Sequence, residues 1–154
     1  MNVKMICAMV IMTLVACERK APVAEKKSPD NLIGTWLLVS GVAIQKGDTT
    51  HTDYQKNQRM IKIINETHFA FLNHDLNHGK DSSAMYISGG GKYTLTGDQY
   101  TEHLEYCNLR EWEDKSFNFT VTVKDDTLVQ RGEEDVPEAG VKREIIETYT
   151  RLKP

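Results

Sequence analysis

Apolar residues recur at every second position in short runs from Asn31 to the end of the chain, and this spacing constrains the fold more than any other feature. A period of two places alternate side chains on opposite faces of a β-strand, whereas a helix needs a period of 3.6. The runs predict eight or nine strands within residues 34–44, 60–64, 68–72, 84–88, 92–96, 99–107, 117–123, 127–131 and 142–152. Only residues 52–59 carry a stripe that suits a helix.

Strands that succeed one another without helices favour an antiparallel meander. About eight such strands can close into a barrel whose interior either fills with side chains or holds one small ligand. Gly97-Asp98 is a strong turn signal. Gly89-Gly90-Gly91 predicts a sharp corner or a bulge in a strand. These glycines do not suit a phosphate-binding loop, because that motif needs a following Lys-Ser/Thr and a helix. We therefore expect an all-β chain with a single antiparallel up-and-down β-barrel over residues 31–154.

The first sixteen residues have a different character. Lys4 precedes an apolar run from Met5 to Ala16, which is shorter than the roughly 20 residues that a membrane-spanning helix needs and is typical of a secretory signal peptide. Leu14-Val15-Ala16-Cys17 resembles the lipobox of bacterial lipoproteins, in which the cysteine is acylated and becomes the first residue of the mature chain. We expect residues 1–16 to be the signal peptide and residues 17–30 to be the lipidated Cys17 followed by a flexible tether. The resemblance implies a lipid-anchored protein of the bacterial cell envelope, and Glu18 in place of Asp favours the outer membrane.

Charge and cysteine content exclude some classes. The formal net charge is -3, with 19 Lys+Arg against 22 Asp+Glu, which argues against an electrostatic nucleic-acid binder. Of the three cysteines, Cys7 lies in the signal and Cys17 in the lipobox, so Cys107 remains as the only unmodified thiol. We therefore expect the mature domain to have no internal disulfide.

A second resemblance rests on the two ends of the predicted barrel. Gly34-Thr35-Trp36 opens the first strand and resembles the Gly-x-Trp signature of lipocalins and their calycin relatives. In that superfamily an Arg of the last strand packs on this Trp, and Arg151 stands at the matching place. The wider pattern is similar to uncharacterised bacterial lipocalin-like lipoproteins over about residues 31–154. The resemblance implies that Gly34, Trp36 and Arg151 close one end of the barrel, and it supplies no substrate.

Strand parity predicts which side chains face the interior. If Trp36 points inward, Leu38, Ser40 and Val42 share its face, and an inward Arg151 places Ile145 and Arg143 on the interior face of the last strand. The resulting mixture of aromatic and acidic side chains predicts a cleft in the barrel mouth that binds a small apolar or amphipathic ligand, with no cofactor. The predicted ligand-binding residues are Phe69, Phe71, Tyr93, Tyr100, Glu102, Tyr106, Glu147 and Tyr149.

Other functions remain open from sequence alone. Glu102 and Glu147 would form an acid–base pair if their environments separated their pKa values, although the sequence contains no nucleophile motif. Trp112 would anchor an envelope protein if it were exposed, in an interaction or inhibitor module, or it would fold back to cap the barrel. Residues 74–81 hold two His and two Asp, but the surrounding Asn, Gly and Ser predict a solvated hairpin tip rather than a metal site.

Overall fold

The computed structural model describes residues 32–153, which form nine strands. The predicted signal peptide, Cys17 and the tether lie outside the described residues. The strands are β1 (Gly34–Gln45), β2 (Asp48–Asp53), β3 (Gln58–Ile64), β4 (His68–Asp75), β5 (Tyr86–Thr96), β6 (Gln99–Cys107), β7 (Lys115–Lys124), β8 (Thr127–Val136) and β9 (Val141–Arg151). Two short 3₁₀ turns, Arg110–Trp112 and Pro137–Ala139, complete the regular structure of this range.

Eight of the strands form a closed antiparallel up-and-down barrel, which confirms the predicted fold class. The strands pair in the order β1, β3, β4, β5, β6, β7, β8 and β9, and β9 returns to pair with β1. The remaining strand, β2, pairs only with the second half of β1, from Ser40 to Gln45, and extends the sheet beyond the barrel wall. Within residues 32–153, no helix is both long enough and apolar enough to span a membrane.

The helical stripe predicted over residues 52–59 is wrong. Thr52 and Asp53 end β2, and Gln58 already begins β3. The Asp53 carboxylate accepts a hydrogen bond from the backbone N–H of Gln55 at 3.0 Å, which stabilises a turn between the two strands.

Trp36 and Arg151 lie together at the end of the barrel where β1 begins and β9 finishes, which we call the closed end. The Arg151 guanidinium lies 4.0 Å from the centre of the Trp36 ring and donates to the carbonyl of Ile33 at 2.9 Å. The Trp36 indole N–H donates to the carbonyl of Leu32 at 2.9 Å, which ties down the entering chain. Gly34 has φ 151°, and a Cβ there would collide with the Arg151 guanidinium, so only glycine allows this packing.

Two bulges change which side chains face inward. Leu38 pairs with Tyr149 and Ser40 with the adjacent Thr148, so β1 carries an extra residue at Val39. The alternation therefore reverses, and the prediction that Ser40 faces inward is wrong, since Ser40 is exposed.

The second bulge confirms the irregularity predicted from the three glycines. Gly90 pairs with Tyr106 and Lys92 with His103, so β6 has one more residue than β5 in this interval. At Gly91 a Cβ would collide with the backbone carbonyl of His103, which shows how closely β6 approaches β5. Beyond this bulge the parity of β6 is reversed.

The half of the barrel nearest the closed end is filled with side chains. Its most completely buried apolar members are Trp36, Leu38, Tyr100, Val121, Leu128 and Tyr149. Burial of one such large side chain contributes about 1.5–3 kcal/mol, so this packing stabilises the domain. The opposite half, which we call the mouth, is where the interior is not filled.

Candidate functional site

A cavity of about 180 Å³ occupies the mouth half of the barrel, and we call it the chamber. Its walls combine apolar surface with several polar and charged groups, and sites for small molecules also combine the two. The apolar wall is formed by Met60, Phe71, Leu104, Phe117, Phe119 and Ile145, and Leu109 and Trp112 lie at the rim. Most of these side chains come from alternate positions of neighbouring strands, which is why one face of the sheet can line a single cavity.

Trp112 covers the chamber from the 3₁₀ turn that comes after β6. Its ring packs on Phe117 with 5.6 Å between ring centres. An ion pair between Arg110 and Glu113, with 2.6 Å between Nη2 and Oε2, stabilises the turn that holds it in place. Of the two orientations that the sequence allows for Trp112, the structure shows the one that caps the barrel.

A buried polar cluster lies at the base of the chamber. Lys62 is 2% exposed, and its ammonium donates to Glu102 Oε1 at 2.7 Å and to Gln130 Oε1 at 2.8 Å. The same nitrogen lies 5.7 Å from the centre of the Phe69 ring and 5.5 Å from that of Tyr149. A buried ammonium needs such partners because it has left water. Lys62 and Glu102 therefore neutralise each other where the chamber meets the filled core.

Glu147 projects into the chamber from β9 without a cationic partner. Its Oε2 accepts a hydrogen bond from the Tyr149 hydroxyl at 2.6 Å, and the two cations that line the chamber, Lys62 and Arg143, form their ion pairs with Glu102 and Glu134 instead. Burial raises the pKa of Glu147 and outweighs the opposing effects of Lys62, the Tyr149 hydroxyl and Arg143. Burial also raises the pKa of Tyr149, and the neighbouring Glu147 adds to that effect.

Arg143 and Glu134 form the second ion pair of the chamber, nearer the mouth. The Arg143 Nε lies 2.6 Å from Glu134 Oε2, and the guanidinium lies 6.0 Å from the centre of the Trp112 ring. The pairing is a consequence of the register, since Glu134 of β8 stands directly opposite Arg143 of β9. Burial raises the pKa of Glu134, while Arg143 opposes the shift.

A wider depression of about 420 Å³ adjoins the chamber, and we call it the vestibule. It is formed by the β1–β2 hairpin and β9, and it shares Tyr54, Arg143, Ile145 and Glu147 with the chamber. Tyr54 lies against Gly41, its backbone N–H donates to the Val39 carbonyl at 3.1 Å, and burial raises the pKa of its hydroxyl. A ligand seated against Glu147 would therefore have one part in the chamber and room for a second part outside it.

The structure brings three of the eight predicted ligand-binding residues to the chamber, namely Phe71, Glu102 and Glu147. Phe69, Tyr100 and Tyr149 are buried in the filled core rather than along the cavity. Tyr93 packs on Tyr100, and its hydroxyl donates to the Asn65 carbonyl at 2.7 Å near the closed end.

Tyr106 lies elsewhere, and its predicted inward orientation is wrong. It is 69% exposed, because the bulge in β6 reverses the alternation and turns Cys107 inward in its place. Burial raises the pKa of the Cys107 thiol, which disfavours the reactive thiolate.

Sequence reasoning missed Lys62, Gln130, Asn73 and Glu134 as parts of the site. Lys62 shares its strand face with Met60 and Ile64, and Gln130 shares its face with Leu128, so strand parity carried a signal for both. Asn73 belongs to the chamber wall, and its Oδ1 is buried and accepts no hydrogen bond from the described residues.

His74 and Asp75 are the last residues of β4, and the residues after them form the loop that leads to β5. The Asp75 carboxylate accepts hydrogen bonds from the backbone N–H groups of Gly79 at 2.8 Å and Met85 at 3.0 Å. Within residues 32–153, no group of three or more His, Cys, Asp or Glu side chains is placed to hold a metal ion. The Asp75 carboxylate thus closes the loop.

Comparisons with protein-family models, with curated proteins and with solved structures each returned no match. The chamber itself is therefore the basis on which a function can be inferred.

Proposed function

We propose that the domain binds a small, partly apolar ligand in the chamber. The observation that carries this proposal is a closed eight-stranded barrel whose mouth half holds a cavity of about 180 Å³ beneath Trp112. Its wall combines apolar and aromatic side chains with two ion pairs, Gln130, Asn73 and the carboxyl group of Glu147, which forms no ion pair with the described residues. This combination suits a ligand with an apolar body and one or two polar atoms.

The cavity volume limits the size of the ligand. An engineered apolar cavity of about 150 Å³ in another protein holds a benzene molecule. The chamber, at about 180 Å³, is suited to one ring or a short aliphatic chain. A larger ligand would extend past Glu147 into the vestibule.

We also propose that the barrel is held in the bacterial envelope by a lipid on Cys17, with the outer membrane favoured. The support is the Leu14-Val15-Ala16-Cys17 sequence after a short apolar run. The chain enters the barrel at Leu32 beside Trp36, at the closed end. A tether attached there would place the mouth at the far end of the domain from the attachment point, and a ligand can enter through the mouth.

Radiolabelled palmitate tests the anchor. Label should enter the wild type and Cys107→Ala but not Cys17→Ala, because Cys107 is buried in the barrel. Equal labelling of the wild type and Cys17→Ala would refute the lipid anchor without bearing on the chamber.

Native mass spectrometry of the protein purified from the cells that produce it tests ligand binding. The wild type should carry an additional mass that is lost on unfolding. Ile145→Trp serves as the comparison, since Ile145 lines the chamber and a larger ring there fills it. A filled chamber should remove the adduct, and an adduct of equal abundance in both proteins would contradict the proposed site.

A second candidate function, the docking of another protein, is favoured by a different surface. Leu72 and Tyr106 are exposed on the outside of the barrel, where both border the same shallow depression on β4, β5 and β6. Single substitutions to Glu at Leu72 or Tyr106 would disrupt docking there and leave the chamber unchanged. If these variants lose the cellular function and Ile145→Trp keeps it, the outer surface and not the chamber carries the function.

The acid–base alternative stays a prediction. Glu102 and Glu147 line the same chamber, and their surroundings differ, since Glu102 forms an ion pair with Lys62 while Glu147 accepts a hydrogen bond from the Tyr149 hydroxyl and forms no ion pair within residues 32–153. Glu102→Gln separates the two functions. A binding protein would show a changed affinity, whereas an enzyme would lose turnover of the bound molecule.

A further inference from the structure

The charged side chains that line the chamber do not balance. Lys62 and Arg143 supply two positive charges, and Glu102, Glu134 and Glu147 supply three ionisable carboxyl groups. Lys62 is paired with Glu102 at 2.7 Å and Arg143 with Glu134 at 2.6 Å. Glu147 is therefore the carboxyl group left over.

The position of Glu147 makes this imbalance relevant to a ligand. It lines both the chamber and the vestibule, so its carboxylate can be reached by a molecule that enters from the mouth. Burial raises the pKa of Glu147 even though Lys62 and Arg143 act against the shift, because neither cation forms an ion pair with its carboxylate. A cation placed beside it would remove that penalty.

Asn73 provides a second, independent observation. It is 7% exposed, lines the same chamber from β4, and its Nδ2 donates to Gln58 Oε1 at 3.2 Å. Its Oδ1 is buried and accepts no hydrogen bond from residues 32–153. The wall thus holds an amide oxygen without a donor and a carboxyl group without an ion-pair partner among the described residues, and a ligand that satisfies both must carry N–H or O–H groups.

The aromatic side chains around these acceptors also suit a cation. Phe71, Phe117 and Trp112 line the chamber. The faces of such rings attract organic cations as well as apolar groups. Trp112 already lies over one cation, the guanidinium of Arg143.

We propose that the chamber selects a small organic amine in its protonated form, with Glu147 as the counter-ion and the apolar body of the ligand against Phe71, Phe117 and Ile145. This specificity rests on the binding function proposed above. An acidic ligand would instead bring a fourth carboxyl group into a space that already holds three.

Three probes of nearly equal size test the proposal on the purified full chain: benzylamine, benzyl alcohol and benzoate. Ligand-observed NMR titration gives each dissociation constant. We expect benzylamine to bind about 10- to 100-fold more tightly than benzyl alcohol, since hydrogen bonds to charged groups are of that strength. Benzoate should bind least tightly. Glu147→Gln should abolish the preference for benzylamine and leave the affinity for benzyl alcohol nearly unchanged.

Glu144→Gln is the matched control, because Glu144 lies on the same strand but pairs with Arg131 on the outside of the barrel, with 2.6 Å between Nε and Oε1. It should retain the preference for benzylamine. A second measurement needs no variant: benzylamine binding should weaken as the pH falls through the pKa of Glu147, and calorimetry in two buffers should detect proton release on binding.

The outcomes separate this inference from the function on which it rests. If benzyl alcohol binds as tightly as benzylamine in the wild type, the chamber binds ligands but the specificity for amines is wrong. Preferred binding of benzoate would overturn the specificity in favour of recognition by Arg143. Failure of all three probes to bind would overturn both proposals.

Discussion

Replacing Lys62 by Met removes the cation from the buried cluster at the base of the chamber. Lys62 is 2% exposed and Glu102 6%, so neither side chain can turn to bulk solvent. The substitution leaves a carboxylate without its partner at 2.7 Å and the Gln130 oxygen without its partner at 2.8 Å. Breaking a buried ion pair in this way costs about 3–5 kcal/mol, which corresponds to about 10–20 °C in Tm for a domain of this size.

Guanidinium chloride unfolding, followed by tryptophan emission, measures this cost. Lys92→Met is the control, because Lys92 is exposed and its nitrogen lies 3.9 Å from a carboxylate oxygen of Glu105, so its loss should cost less than about 1 kcal/mol. The double variant Lys62→Met/Glu102→Met should recover at least half of the loss, since two apolar side chains replace the pair. The stabilising role of the pair is refuted if Lys62→Met is no less stable than Lys92→Met, or if the double variant is no more stable than the single one.

Further predictions concern the close approach of β6 to Gly91, the closed end of the barrel and the carboxyl group of Glu147. Gly91→Ala should destabilise the domain by at least about 2 kcal/mol, because the new Cβ collides with the β6 backbone. Gly140→Ala should cost less, because only the φ of 67° opposes a Cβ there. Equal denaturation midpoints for the two variants would contradict this prediction. Arg151→Lys should cost about 1–2 kcal/mol and shift the emission of Trp36, because lysine lacks the planar guanidinium that stacks on the Trp36 ring at 4.0 Å. Unchanged emission and stability would show that the stacking does not stabilise the domain. Glu147→Gln should be more stable than the wild type at pH 8 and should lose that advantage towards pH 4. The reason is that the pKa of Glu147 is higher in the folded state than in the unfolded state, which lowers the stability of the wild type as the pH rises. A difference in Tm between the two proteins that is constant from pH 4 to 8 would refute the raised pKa.

The barrel could be predicted from sequence because alternation of apolar residues directly reports strands with one buried face. β2 could not, since Asp48–Asp53 contains no apolar residue and makes no contribution to the core. Its partner is the second half of β1, and this pairing fixes it in place despite a sequence without a strand signal. The sequence wrongly predicts a helix over residues 52–59, because a turn between two strands can imitate a helical stripe over so short a range.

The interior could be predicted only as far as the first bulge of each strand. The extra residue at Val39 and the extra residue of β6 opposite Gly91 each reverse the parity of the residues beyond them in the strand. Three glycines indicated that an irregularity was present, but not that the neighbouring strand would carry the added residue. Unbroken alternation therefore predicts an inward Tyr106, whereas the structure exposes Tyr106 and buries Cys107.

The charged part of the site depended on contacts that sequence spacing does not reveal. Strand parity places Lys62 on the face of Met60 and Ile64, but it does not show the partner that a buried lysine needs, since Glu102 lies forty positions away in the chain. Glu147 was predicted to lie inside, but its lack of a cationic partner is evident only from the positions of Lys62 and Arg143. That missing partner is the basis of the proposed specificity.

A crystal structure of the protein soaked with benzylamine tests the proposed amine site most directly. We expect density for the ring between Phe71, Phe117 and Ile145, beneath Trp112, with the amine nitrogen within about 3.2 Å of a Glu147 carboxylate oxygen. A chamber filled by protein side chains, or benzylamine bound only on the outside of the barrel, would contradict the proposal.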